Sequence, residues 1–182
     1  WNTSSVDWMG WMFYGAISAT PDTSSWDTAE VQDMSNMFDG AVLANPDTSG
    51  WGTADVSDMA GMFKGATSAN PDMSGWNFAS VTDMTEMFDG IDIGVEKYSA
   101  LLIALEAQNG NSNVVLGGGL AQYNQYGDTA RTNLVDDLGW VITDGGLWDT
   151  DSDGLSDDLE FDLGTNPALA DTDGDGINDF DE

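Results

Sequence analysis

Apolar positions in the first ninety residues recur with a long period. Trp stands at positions 1, 26, 51 and 76, and the residues between keep step: Val6, Val31, Val56 and Val81, then Met9, Met34, Met59 and Met84, then Met12, Met37, Met62 and Met87, then Phe13, Phe38, Phe63 and Phe88. A period of 25 residues over four units marks a repeat architecture. A unit this short cannot bury its apolar side alone, so its neighbours must cover it and the columns must form one core.

Within a unit, Met34, Met37 and Phe38 are spaced i, i+3, i+4, which predicts about two helical turns, with Gly40 where a left-handed cap is wanted. The remainder, "ANPDTSGW", predicts a short extended rung with tight turns. The fold class expected for 1–90 is therefore an α/β repeat, a solenoid with short rungs and short helical turns. The Met and aromatic columns read as packing.

The period is lost after Gly90. "KYSALLIALEAQ" and "DTARTNLVDDLG" have helical patterns, and each precedes an apolar extended run, "NVVLGGG" and "WVITDGG". In the second helix Ala130, Leu134, Val135 and Leu138 share a face, with Asp128 or Thr129 as N-cap and Gly139 as the stop. Residues 91–146 are thus expected to form an α/β cap that closes the open end of the stack.

The remaining residues, 147–182, carry a different pattern. In "DTDSDGLSDDLE" acids fall at loop positions 1, 3, 5, 9 and 12, with Gly154 at 6 and Leu155 at 7, and "DTDGDGINDFDE" repeats this with Gly176 and Ile177. This is the register of a calcium loop, because a hard ion seeks six to eight oxygens and a curled strand of carboxylates around a Gly supplies them. The expected ligands are Asp149, Asp151, Asp153, the Leu155 carbonyl, Asp157 and Glu160 in one loop. In the other they are Asp171, Asp173, Asp175, the Ile177 carbonyl, Asp179 and Glu182. Two or more Ca²⁺ ions are expected, and without them the clustered acids should leave the tail disordered. Gly164 and Pro167 interrupt the connector, so the long flanking helices of a calcium sensor are not expected.

Charge sharpens this picture. The chain has 33 acids, 3 bases and no His or Cys, a formal net charge of −30. Such a surface repels nucleic acid and attracts cations, and the missing His and Cys remove thiol and imidazole catalysis, so an enzyme is not expected. No run of apolar residues is long enough for a membrane span. A start at Trp1 reads as a processed piece of something larger. Two further columns are acidic. Asp33, Asp58 and Asp83 are expected to cap local turns, whereas Asp22, Asp47 and Asp72 are open between turn capping and an exposed cation or ligand face. Asn2 heads the one N-x-S/T sequon.

The motif "VSDMAGMFKGA", with the recurring Trp and "NPDTSGW", resembles the BspA-type leucine-rich repeat of bacterial surface proteins over Trp1 to about Gly90, although Ala19, Ala44 and Ala69 stand where that pattern has an aromatic. "YSALLIAL" and "LGWVITDGG" look like the segment that ends such repeat domains. The two acidic loops joined by "GTNP" resemble the thrombospondin type 3 repeat, a calcium-stiffened connector. These resemblances imply a non-catalytic extracellular or cell-surface module of bacterial type. Its repeats would bind a surface protein, peptide or glycan, or copies of the chain would assemble into a fibre.

Overall fold

The computed structural model describes residues 1–182. Successive 25-residue units lie one on another, joined by main-chain hydrogen bonds in a constant register. In the second unit the N–H groups of Met34, Asn36, Phe38 and Gly40 donate to the carbonyls of Asp58, Ala60, Met62 and Lys64, at 2.7–2.9 Å. The first and third units repeat the pattern, from Met9 to Asp33 and from Met59 to Asp83.

The two helical turns expected in each unit do not form. The alternate N–H groups, such as Met37 and Asp39, turn back to the carbonyl three residues earlier. A left-handed residue every fourth position, Asn36 (φ 53°) and Gly40 (φ 69°) in this unit, breaks the α-helical path. The i, i+3, i+4 spacing still places Met34, Met37 and Phe38 inside, all three fully buried. A tight turn shared between neighbouring units thus produces the periodicity of a helix face without a helix.

Side chains stack in the same register. Trp26, Trp51 and Trp76 lie nearly parallel, their centroids 6.1–6.2 Å apart, and Phe13, Phe38, Phe63 and Phe88 form a second pile at 5.3–6.1 Å. Buried Thr hydroxyls bridge the units where the chain is most polar. Thr23 and Thr48 donate to the Asp47 and Asp72 carbonyls, and Thr28 and Thr53 to those of Gly52 and Asn77. These two columns end in Met73, near the close of the third unit, and Phe78, at the start of the fourth. There the neighbour is no longer another unit but a helix of the cap, and apolar side chains replace the hydroxyls.

That helix, α1 (Val95–Gln108), buries Tyr98, Leu101, Leu102 and Leu105. It is followed by β1 (Val115–Gly117), α2 (Gln125–Leu138) and β2 (Val141–Thr143), and the two strands pair in parallel with Val115 opposite Val141. β1 takes the place of a fifth unit: Met84 N–H donates to the Val115 carbonyl, Gly117 N–H to Met84, and Phe88 N–H to Gly117. The approach is close enough that a Cβ on Gly117 would lie 2.4 Å from the Glu86 nitrogen, so only Gly fits there. α2 begins a turn before its expected start, capped by the Asn124 side chain, which accepts from Gly127 N–H at 3.1 Å. Gly127 in the first turn disguised this start, whereas Gly139 ends the helix in the left-handed region as expected. Under α2, the Arg131 guanidinium donates to the buried Asp144 carboxylate at 2.8 Å, and Tyr98 Oη donates to the same oxygen at 2.9 Å.

Candidate metal centre

The tail leaves the cap through main-chain pairing. Trp148 N–H donates to the Tyr123 carbonyl and Asp157 N–H to that of Trp148, while Gln125 N–H, unsatisfied at the start of α2, donates to Ser156 Oγ. Leu147, assigned to the tail by its sequence position, bridges to Tyr123 and packs on the cap's core.

The first loop is curled by its own carboxylates. Asp149 accepts from Ser152 N–H through Oδ1 at 2.6 Å and from Gly154 N–H through Oδ2 at 2.9 Å; Asp151 and Asp153 accept from the N–H two residues on. The second loop repeats these bonds: Asp171 accepts from Gly174 and Gly176, Asp173 from Asp175 and Asp175 from Ile177. Gly154 (φ 105°) and Gly176 (φ 97°) hold backbone angles that a side chain would strain. In each loop the three leading Asp residues bring carboxylate oxygens within 4.8 Å of one another.

Position 9 is engaged within the loop itself. Both oxygens of Asp157 accept from Thr150, one from its N–H at 2.7 Å and the other from its hydroxyl at 2.6 Å, and Asp179 grips Thr172 in the same way. These Asp residues close the loop onto its second residue. Position 2, Thr in both loops, is a site residue that ligand counting overlooked, although the repeated "DTD" was there to be read.

Position 12 separates the loops. Glu160 is 0% exposed, and neither of its carboxylate oxygens has a hydrogen-bond partner; Asp151 Oδ2 and Asp153 Oδ2 are also buried and unpartnered. Burial pushes the Glu160 carboxyl up to about 7, helped by the charges of Asp151, Asp153, Asp157 and Asp149. Glu182 is exposed and shifts in the same direction, from desolvation and then the charge of Asp173. Leu155 is buried and Ile177 half exposed, so the first loop is the more enclosed. The ring of Phe180 lies against Gly154 and brings the loops together. Between them stands α3 (Asp157–Leu163), seven residues long and ended by Gly164 in the left-handed region. Every donor these loops offer is oxygen, and the buried unpartnered atoms are all acceptors, a set suited to a hard cation.

The acids of the repeats do something simpler. Asp33, Asp58 and Asp83 each accept from the N–H two residues on, at 2.8–2.9 Å, and cap the shared turn rather than a helix. Asp22, Asp47 and Asp72 cap the other turn, accepting from Ser24, Ser49 and Ser74. These bonds hold the Asp22 and Asp72 carboxyls below their usual range.

Stacked 25-residue turns closed by an α/β cap and extended by paired acidic loops define a repeat protein with a candidate metal-binding tail. The family described as "Mycoplasma protein of unknown function, DUF285" matches residues 1–99, just over half of the chain, and the protein belongs to that family. The family is related to BspA-like surface repeats. No curated protein and no solved structure matches the chain. No helix is long and apolar enough to cross a membrane.

Proposed function

We propose that the chain is a non-catalytic extracellular surface or adhesion module of bacterial type. Its stacked units form a leucine-rich-repeat-like solenoid that presents a binding face for a protein, peptide or glycan, and its tail is a calcium-stiffened connector similar to the thrombospondin type 3 repeat. The observation that carries this reading is Glu160, a fully buried carboxylate with neither oxygen partnered, beside three Asp residues whose oxygens converge. Burying unpaired charge is costly, and a bound cation removes that cost.

Asp149, Asp151, Asp153, Glu160 and the Leu155 carbonyl would hold one Ca²⁺ ion; Asp171, Asp173, Asp175, Glu182 and the Ile177 carbonyl would hold another. The ion would supply the rigidity that a core supplies elsewhere. Titration of chelator-stripped protein with calcium, followed by calorimetry and circular dichroism, is expected to show two or more ions bound and a gain of order in the tail. Silence at millimolar calcium would refute the assignment. The adhesion role predicts saturable binding to a host or microbial surface, carried by the repeats alone. Equal binding by the isolated tail would overturn it.

A further inference from the structure

The repeat register provides an internal control for the surface. The positions held by Asp33, Asn36 and Asp39 in the second unit are held by Trp8, Trp11 and Tyr14 in the first. With units on both sides, Asp33, Asn36 and Asp39 remain half-buried, so these positions face sideways from the stack rather than into it. In the first unit they leave large rings in water: Trp8 is 55%, Trp11 50% and Tyr14 56% exposed. The rings of Trp11 and Tyr14 meet 4.7 Å apart at 49°, forming an open corner. Above Gly10, the Trp8 indole and the Asp33 carboxylate both come within 3.0 Å of where a Cβ would sit, which sets a negative charge beside the aromatic group.

The backbone makes the choice of Trp11 more pointed. Its position is left-handed in every unit, and Asn36 (φ 53°) and Gly61 (φ 60°) are residue types that adopt this at little cost. Glu86 (φ 56°) is a costlier occupant, and its side chain is engaged by Lys64. Trp11 (φ 64°) has no such ion pair, and its side chain ends in the solvent-facing corner with Tyr14. A strained residue that the stack does not need points to a use at the surface.

We propose that the Trp11–Tyr14 corner, with Trp8 and Asp33 on the same side of the stack, forms a seat for a cationic side chain, an arginine or lysine carried on a basic segment of a partner protein. Ring faces attract cations, the neighbouring carboxylate adds to the attraction, and a chain of net charge −30 steers cations toward itself. The cation must come from outside: Lys64 is held by Glu86, Lys97 by Asn70 and Pro71, and Arg131 by Asp144. This inference deepens the proposed binding role and rests on it only in placing the ligand on the repeats.

The test uses the full chain and a fluorescent hexa-arginine peptide at physiological salt, read by anisotropy. Trp11→Asn combined with Tyr14→Asp gives two of these three first-unit positions the residues of the second unit. This variant is one charge more negative, so attraction by net charge alone predicts equal or tighter binding, whereas the seat predicts binding weakened by about tenfold or more. Trp11→Phe keeps a ring at the same backbone angle and is expected to bind within about threefold of the parent, which guards against a misfolded double variant. Peptide binding that ignores the double substitution overturns the seat and leaves the surface role standing. So does a patch that binds neutral chitohexaose instead of the peptide, or one that proves by sedimentation to join two copies of the chain.

Discussion

The repeat stack and the tail use the same local device and reach opposite ends. Asp58 in the stack and Asp153 in the tail each accept from the N–H two residues on, at 2.9 and 2.7 Å, so the turn chemistry is shared. In the stack such Asp residues stand singly along the chain, as Asp33, Asp47, Asp58 and Asp72 do, and the structure around Asp58 is held by fully buried Val56, Met59, Met62 and Phe63. In the tail Asp149, Asp151 and Asp153 crowd into five residues and all accept from main-chain N–H groups, their oxygens converge, and Leu155 is the one buried aliphatic side chain. The difference lies in density rather than in motif. Spaced acids cap turns and leave cohesion to apolar columns, whereas crowded acids displace the core and require something else to hold the segment together.

Chelation should break this comparison most sharply. In hydrogen exchange with calcium present, amides of 149–182 are expected to be protected, and with chelator to exchange orders of magnitude faster, while the amides of 31–90 do not change. Equal loss in both regions would mean that the stack also depends on metal. Phe63→Ala tests the other side: it opens a void in the middle of the aromatic pile and should cost about 3–5 kcal/mol in urea denaturation, with or without calcium. A sharper distinction lies within the tail. Glu160→Gln should weaken calcium binding by about tenfold, near 1.4 kcal/mol, and Glu182→Gln by less, since only the first of these groups is enclosed. Competition with a chromophoric chelator would resolve the two, and equal effects would remove the asymmetry between the loops.

The smallest expected effect is electrostatic. Burial raises the Asp58 carboxyl, against the Ala60 hydrogen bond and with help from the Asp33 and Asp83 charges. A carboxyl raised on folding favours the fold when protonated and loses that contribution as pH climbs through its folded value. Asp58→Asn keeps the acceptor and removes the charge. It should therefore stabilise the stack at pH 7 by about 0.5 kcal/mol and do nothing below about pH 3, as followed by thermal unfolding at several pH values.

Much of this was legible in the sequence because repetition averages away noise. One Met at i+3 says little, but four in register mark a column that is buried at Met37, Met62 and Met87, and the cap's second helix stop and two extended runs were equally plain. The helix expected in each unit failed for a specific reason: periodicity reports which side chains face inward, and it cannot report whether an N–H donates along the chain or across to the next unit. The left-handed positions were visible as Gly61, but Trp11 and Glu86 at the same place concealed the rule. In the tail the register located the carboxylates, yet it did not show that both oxygens of Asp157 and of Asp179 accept from the Thr at position 2. Only the geometry separated buried Glu160 from exposed Glu182, because the acids at positions 1, 3, 5 and 9 that precede them are spaced identically.

Because the main-chain bonds of the shared turn keep one register at each step, and the last units meet the cap through Met73, Phe78 and the partners of Gly117 among others, the length of the stack is a free variable. Whole turns can be added or removed between the first and last units without redesigning either end. Each added turn would carry the aromatic corner about 5 Å further from the acidic tail. The number of units thus sets the distance between the first-unit aromatic rings and the acidic loops.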